Sequence, residues 1–259
     1  MKNFLKSLFH GLGLEVSRYY RKPRKSRRSN DLTLYKTVTG KYYLPSKAYQ
    51  DLIANAIKNN RIFDIEIFEV AKKYIKPGTA VLDVGSNFGQ MAILMSKLTG
   101  EKGVVHAFDA DDFVYEILTK NIKENSTNII PHYGAVHDKG NETLFFPVQD
   151  FERFGTYGSY GIDYVNNKGR AVKTIKIDDI HFDLPVSFMK IDVQGGDLFA
   201  LKGATQTIAK HKMPIIFEYE YSFEEELNLC FQDYIDFVHS INYKFHKVIN
   251  GQNFLIIPV

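Results

Sequence analysis

VLDVGSNFG, Val81 to Gly89, opens as a buried strand and then abandons strand composition for a glycine turn. MAILMSKL follows at once, so the stretch reads as strand, tight turn and helix. Such a turn lets a backbone approach a small molecule. Upstream, IKPGT (Ile75 to Thr79) stops a preceding helix with Pro-Gly. From Ser46 to Tyr74 helix is favoured, with Leu52, Ile53 and Ile57, then Ile67, Phe68 and Ala71, at helical spacing. Downstream, VVHAFDA (Val104 to Ala110), IIPHYGAV, SFMKIDV (Ser187 to Val193) and PIIFEYE (Pro214 to Glu220) are further strands. ETLFFPV and AVKTIKI flank a Gly- and Tyr-rich loop, while DLFALKGATQTIAK and EEELNLCFQDYIDFVHS are helical runs. Asn250-Gly251, between two β-rich runs, signals a closing hairpin. Strands alternating with helices indicate a mostly parallel α/β sheet ending in an antiparallel hairpin.

The composition bounds the class. At 259 residues and 44% hydrophobic the chain can bury one sizeable core. A single cysteine, Cys230, rules out an internal disulfide framework and favours a reducing cytosol. No run approaches the roughly 18 apolar residues of a membrane span, and the N-terminus lacks a signal-peptide pattern. The net charge of +3 is uneven: RYYRKPRKSRR, Arg18 to Arg28, carries seven basic residues and no acid. It follows a run in which Phe4, Leu5, Leu8, Phe9 and Leu12 share a helical face. This tail reads as a packing helix with a solvated charge run, or as a peripheral anchor at the inner face of the membrane through residues 1–28. The expected organisation is a basic amphipathic extension (1–30), a helical cap (31–75) and the main α/β domain (76–259).

In doubly wound sheets ligands sit beyond the carboxyl ends of the strands. The turn here is G-x-x-x-G, without the third glycine of a dinucleotide fingerprint or the Gly-Lys-Ser/Thr of a P-loop. Phosphate is therefore the weaker ligand. Asp83 suits a ligand that presents an ammonium group, and Asp109, ending the second strand, suits the two hydroxyls of a ribose. Alone, each acid reads equally well as a turn or capping residue. Together, on consecutive strand ends, they fit S-adenosylmethionine, an amino acid joined to a nucleoside.

D-V-G-S-N-F-G resembles the first motif of class I methyltransferases in the variant found in the FkbM family. TIKIDDI (Thr174 to Ile180), FMKIDVQGGDLFALKGA (Phe188 to Ala204) and PIIFEYE resemble further segments of that family, in the same order. The resemblance covers roughly Phe63 to Val259. It implies a doubly wound, seven-stranded, mostly parallel Rossmann-like sheet and S-adenosylmethionine as cofactor. It assigns Asp83, Gly85, Ser86, Asn87, Gly89, Asp109, Ala110, Ala135, Val136 and Asp192 to the cofactor pocket. Gln194 stands where the family usually has glutamate, which puts an acid/base role there in doubt. Asp109-Ala110-Asp111 replaces a glutamate followed by proline.

Methylation of an alcohol needs a group to take its proton. Asp192, ending the fourth main strand, is the first candidate, as base, metal ligand or cofactor-positioning group; a purely structural role at the Gly195-Gly196 turn is its alternative. Lys190, two residues earlier, shares its face. Asp192 with Glu218 or Glu220 would offer oxygen ligands to a magnesium-like ion, the less favoured reading. His137 is a secondary base candidate, whereas His106, inside an apolar strand, reads as a core residue. Tyr157, Tyr160 and Tyr164 suit sugar rings. The expected activity is O-methylation of a sugar hydroxyl on a surface polysaccharide or other glycosylated product, with a carbohydrate or glycolipid acceptor. The alternatives are an RNA methyltransferase holding phosphates with the basic tail, and a cofactor-binding protein impaired in catalysis. Nucleic acid is the weaker partner, because the Asn/Asp-Pro-Pro-aromatic motif for base amines is absent.

Overall fold

The computed structural model describes residues 31–148 and 156–259. The basic tail and the start of the Tyr-rich loop lie outside them. The described chain begins with a hairpin, β1 (Leu32–Lys36) and β2 (Lys41–Pro45), followed by α1 (Leu52–Lys58) and α2 (Ile65–Tyr74). The 31–75 segment is thus not wholly helical, contrary to expectation. Threonines and tyrosines dominate LTLYKTVTGKYYL around Gly40, and such residues favour a pleated pair over a helix. Asn60 and Asp64, both left-handed (φ 57° and 51°), separate the two helices.

The main sheet contains β3 (Ala80–Val84), β4 (Val104–Asp109), β5 (Ile129–Tyr133), β9 (Val186–Ile191), β10 (Ile215–Glu218), β11 (Tyr243–Ile249) and β12 (Asn253–Pro258). Its order is β11-β12-β10-β9-β3-β4-β5, and five strands, β10 to β5 in that order, run parallel. β12 enters antiparallel between β10 and β11, closing the hairpin at Asn250 and Gly251, both of positive φ. This is the doubly wound, mostly parallel seven-stranded sheet. Alternation along its strands feeds two cores. Val81, Phe188 and Ile216 pack with α2, α3 (Gln90–Thr99) and α4 (Asp112–Asn125), while Leu82, Met189 and Phe217 face the other side. On that second face lie α5 (Asp197–Lys202), α6 (Thr205–His211) and α8 (Phe231–Ser240), with the short α7 (Glu224–Leu227) preceding α8.

A smaller sheet, order β6-β8-β7, joins β6 (Ala135–Val136), β7 (Thr143–Phe146) and β8 (Arg170–Ile175). It forms because the run IIPHYGAV breaks at Gly134, where any Cβ would lie 2.8 Å from the Lys173 carbonyl. Long helical runs also break for visible reasons. Gly203 divides α5 from α6 where a Cβ would lie 2.1 Å from the His137 carbonyl. The left-handed Asn228 and the extended Cys230 separate α7 from α8. Among the described residues, no helix is long and apolar enough to cross a membrane.

Candidate active site

β3, β4 and β9 end side by side, and their carboxyl ends form the floor of a crevice of about 1020 Å³, open mouth included. The turn after β3 alternates in backbone hand. Gly85, Asn87 and Gly89 have φ of 82°, 49° and 85°. Asparagine tolerates the left-handed region better than most residues, which explains how Asn87 serves where a third glycine would fit. Gly85 admits no side chain: a Cβ would lie 1.8 Å from the Asp192 carbonyl. The two strand ends are therefore in direct backbone contact.

Asp109 lies on the crevice wall and accepts hydrogen bonds from the backbone N–H of Asn87 and of Asp111, both at 2.9 Å. Burial, the largest cause, pushes its carboxyl up to about 7; those two bonds oppose the rise, and Asp111 and Asp83 add to it. Ala110, Ala135 and Val136 line the wall beside it, with Phe108, Phe146 and Ile162. That end is apolar and flat enough for a heterocycle. The Ala110–Asp112 loop is held from outside by Arg170, whose guanidinium donates to the Ala110 carbonyl at 3.2 Å and pairs with Asp112 at 2.8 Å.

At the other end, Lys190 on β9 and Asp192, just past its end, both line the crevice. Lys190 Nζ lies 3.1 Å from Asp192 Oδ2, 3.3 Å from the Gly85 carbonyl and 3.8 Å from Asp83 Oδ1. Burial, which alone would lower the lysine's pKa, is overcome by Asp192 and then Asp83, so the pKa is raised and the ammonium is retained. Gln194, itself left-handed (φ 52°), donates from Nε2 to Asp192 Oδ1 at 3.4 Å and to Glu218 Oε2 at 3.2 Å. Of the oxygen-ligand pair considered in the sequence, Asp192 and Glu218 share the Gln194 amide as a common donor. Among the described residues, no group of three or more His, Cys, Asp or Glu side chains is arranged to hold a metal ion. Burial, then Asp192, raises the neighbouring carboxyls, Asp197 to about 8, Glu218 to about 9 and Glu220 to about 7.

Three expected site residues sit elsewhere than on the wall. Asp83 is fully buried beneath the turn, in register with Lys190. Gly89 shapes the start of α3, where a Cβ would meet Leu118, without lining the crevice. His137 is turned away: its ring stacks on Phe199 at 4.7 Å and its Nδ1 lies 2.6 Å from Asp138. Burial lowers its pKa, with Asp138 opposing. Gly203, closing against its carbonyl, fixes that inward placement. Ser86 and Asn87 do line the wall. His106 is buried and pairs with His132 at 3.0 Å, as a core residue.

The crevice also has walls that the strand-end motifs do not announce. The described part of the Tyr-rich loop forms a strap, with Tyr157, Tyr160 and Tyr164 on the wall. Asp51 pins it, accepting from the Tyr157 N–H at 2.7 Å while capping α1 through Ala54 at 2.7 Å. The strap then passes against Gln194, since a Cβ on Gly161 would lie 2.5 Å from the Gln194 carbonyl. Ile53, Phe63 and Asp64 come from the N-terminal segment. Gln90 fixes that segment to the turn, accepting from the Phe63 N–H at 3.0 Å and donating to the Arg61 carbonyl at 2.9 Å. In the sequence, the signal for this clamp was only a glutamine directly after the glycine turn.

Residues 83–245, more than half of the chain, match the family model described as "Methyltransferase FkbM domain". The ribosomal protein L11 methyltransferase of Thermotoga neapolitana is 39% identical over 59 residues, which are 23% of this chain and 22% of that protein. The chain thus spans about a fifth of the length of the curated relatives it matches. Among solved structures, an FkbM methyltransferase from Methylobacillus flagellatus is 16% identical, with 82% of this chain and 62% of that chain covered and a TM-score of 0.46. A putative rRNA methylase from Clostridium thermocellum is 14% identical, with 74% and 91% covered and a TM-score of 0.47.

Proposed function

The chain belongs to the FkbM methyltransferase family, and from that premise we propose that its crevice presents S-adenosylmethionine to a sugar hydroxyl. The residues present fit the cofactor. The Asp109 carboxylate is aimed by two backbone N–H groups and has lone pairs left for a ribose diol. Ala110, Ala135 and Val136 offer the apolar slot an adenine needs, and the Gly85–Gly89 turn leaves the backbone accessible. When bound, S-adenosylmethionine supplies a methyl carbon already activated by its sulfonium.

The chain's own residues do the rest. Asp192 would accept the hydrogen of the acceptor hydroxyl and take up its proton as that oxygen is methylated. Lys190 pairs with Asp192 at 3.1 Å, and Gln194 donates to its second oxygen. A glutamate at position 194 would add a further negative charge beside Asp192 and Glu218; the amide instead donates to both. One observation carries the choice of acceptor: three tyrosines of a single strap line the crevice, and the strap crosses it at Gln194. Tyrosines offer flat apolar faces and a hydroxyl, which suits pyranose rings.

The test is a labelling experiment. Protein and methyl-tritiated S-adenosylmethionine are incubated separately with polysaccharide, glycolipid and RNA fractions. Label is expected in the carbohydrate-bearing fractions, released on acid hydrolysis as O-methyl sugars. Asp192→Asn should lower it at least about 10²-fold, the lower edge of general-base contributions, with cofactor affinity changed much less. Label confined to RNA would overturn the acceptor assignment.

A further inference from the structure

The amino-acid end of the cofactor carries an ammonium group that requires an acceptor, and Asp83 is not free to be one. It is fully buried, off the crevice wall and 3.8 Å from Lys190 Nζ. Asp109 and Asp111 belong to the opposite, nucleoside end. At the near end, two carboxylates line the wall, Asp64 and Asp192. Asp192 already pairs with Lys190 at 3.1 Å and is the group assigned above to the acceptor hydroxyl.

Asp64 is differently placed. It occupies the N-cap position of α2, where an aspartate ordinarily accepts a backbone N–H of the first turn. Here its backbone is left-handed (φ 51°, ψ 49°) and its side chain makes no cap bond. A non-glycine residue held in that region forgoes local stability, and such departures concentrate at functional sites. Its position relative to the turn is fixed, because Gln90, the first residue of α3, holds Arg61 and Phe63 by the two bonds described above. The charges around it are unbalanced. Asp64, Asp83 and Asp192 surround one lysine, Lys190, with Glu66 on the same helix adding to the negative side. Burial, with Lys190 opposing, pushes the Asp64 carboxyl up to about 6. A second cation would complete the pairing.

We propose that Asp64, upstream of the matched family domain, receives the ammonium group of the cofactor's methionyl end. The proposal rests on S-adenosylmethionine being the cofactor and adds a recognition residue from the N-terminal segment. It gives that segment a direct part in the site, through Asp64 beside Ile53 and Phe63 on the crevice wall.

Three commercially available ligands separate the contributions. S-adenosylmethionine has ammonium and sulfonium, S-adenosylhomocysteine has the ammonium only, and methylthioadenosine has neither. Calorimetry at pH 7.5 on the full chain should show Asp64→Asn weakening the first two at least about 10-fold, the scale of a charge-assisted hydrogen bond. Methylthioadenosine should change less than about twofold. Asp64→Glu, which restores the charge, should recover most of the loss, and a thermal melt on each variant guards against misfolding. Unchanged binding of all three ligands by Asp64→Asn would overturn the proposal. So would an equal loss for methylthioadenosine, or a loss confined to S-adenosylmethionine, which would assign Asp64 to the sulfonium. A wild-type protein that bound none of the three would overturn the cofactor reading itself and this proposal with it.

Discussion

Gly85 and Asn87 have the same left-handed backbone for different reasons, and substitution should separate them. At Gly85 both the conformation and the space forbid a side chain, since the Asp192 carbonyl lies 1.8 Å from a Cβ. Gly85→Ala must push β3 and β9 apart at the reacting centre. The expected cost is at least about 2 kcal/mol of stability, with loss of cofactor binding. At Asn87 only the conformation is demanding. Asn87→Gly relieves it but gives up the bond from Phe88 N–H to Asn87 Oδ1, so stability should stay within about 1 kcal/mol of wild type. Urea denaturation of the two variants checks both, and equal effects would contradict this account of the turn. At this scale the sequence was most legible where a strand-end motif fixes the backbone. The placing of Asp109, Asn87 and Asp192 on the crevice was legible because each follows the end of a strand that the apolar pattern marks. His137 misled because a histidine beside a strand end looks the same whether it faces the ligand or packs on Phe199; only the Gly203 contact decides, and it is 66 positions away in the chain.

Elements were legible in kind and less so in extent. The parallel strands announce themselves as apolar runs because both faces of the sheet are covered. The N-terminal hairpin was overlooked because it borrows its support from α4. Asn121 accepts from the Tyr43 N–H at 2.6 Å and donates to the Tyr43 carbonyl at 3.2 Å, and Asn125 treats Lys41 in the same way. Two asparagines one helical turn apart thus satisfy the edge of β2 as a neighbouring strand would. No local pattern in LTLYKTVTGKYYL foretells a partner some 80 residues on. Asn121 also donates to the Phe88 carbonyl at 2.9 Å, joining hairpin and glycine turn through one buried side chain. Asn121→Ala should therefore cost at least about 2 kcal/mol, because it leaves buried backbone groups unpaired. Amide hydrogen exchange should quicken at Tyr43 as well. Unaltered stability and exchange would show that the hairpin is held by apolar packing alone.

Across the whole molecule, the strand ends and the strap lie within the matched domain, while Ile53, Phe63 and Asp64 join the crevice wall, and Asp51 pins the strap, from upstream of it. The strand ends share a motif that can be followed along the sequence, whereas the upstream wall residues share none. The account as a whole depends on the crevice being a site for S-adenosylmethionine with Asp109 on its ribose. Titration calorimetry of the full chain with S-adenosylmethionine, wild type beside Asp109→Ala, tests this most directly. Binding by the wild type, and a loss of about 1.5–3 kcal/mol in the variant, is the result expected for hydrogen bonds to a charged group. Equal affinity in the two proteins, or none in the wild type, would contradict it.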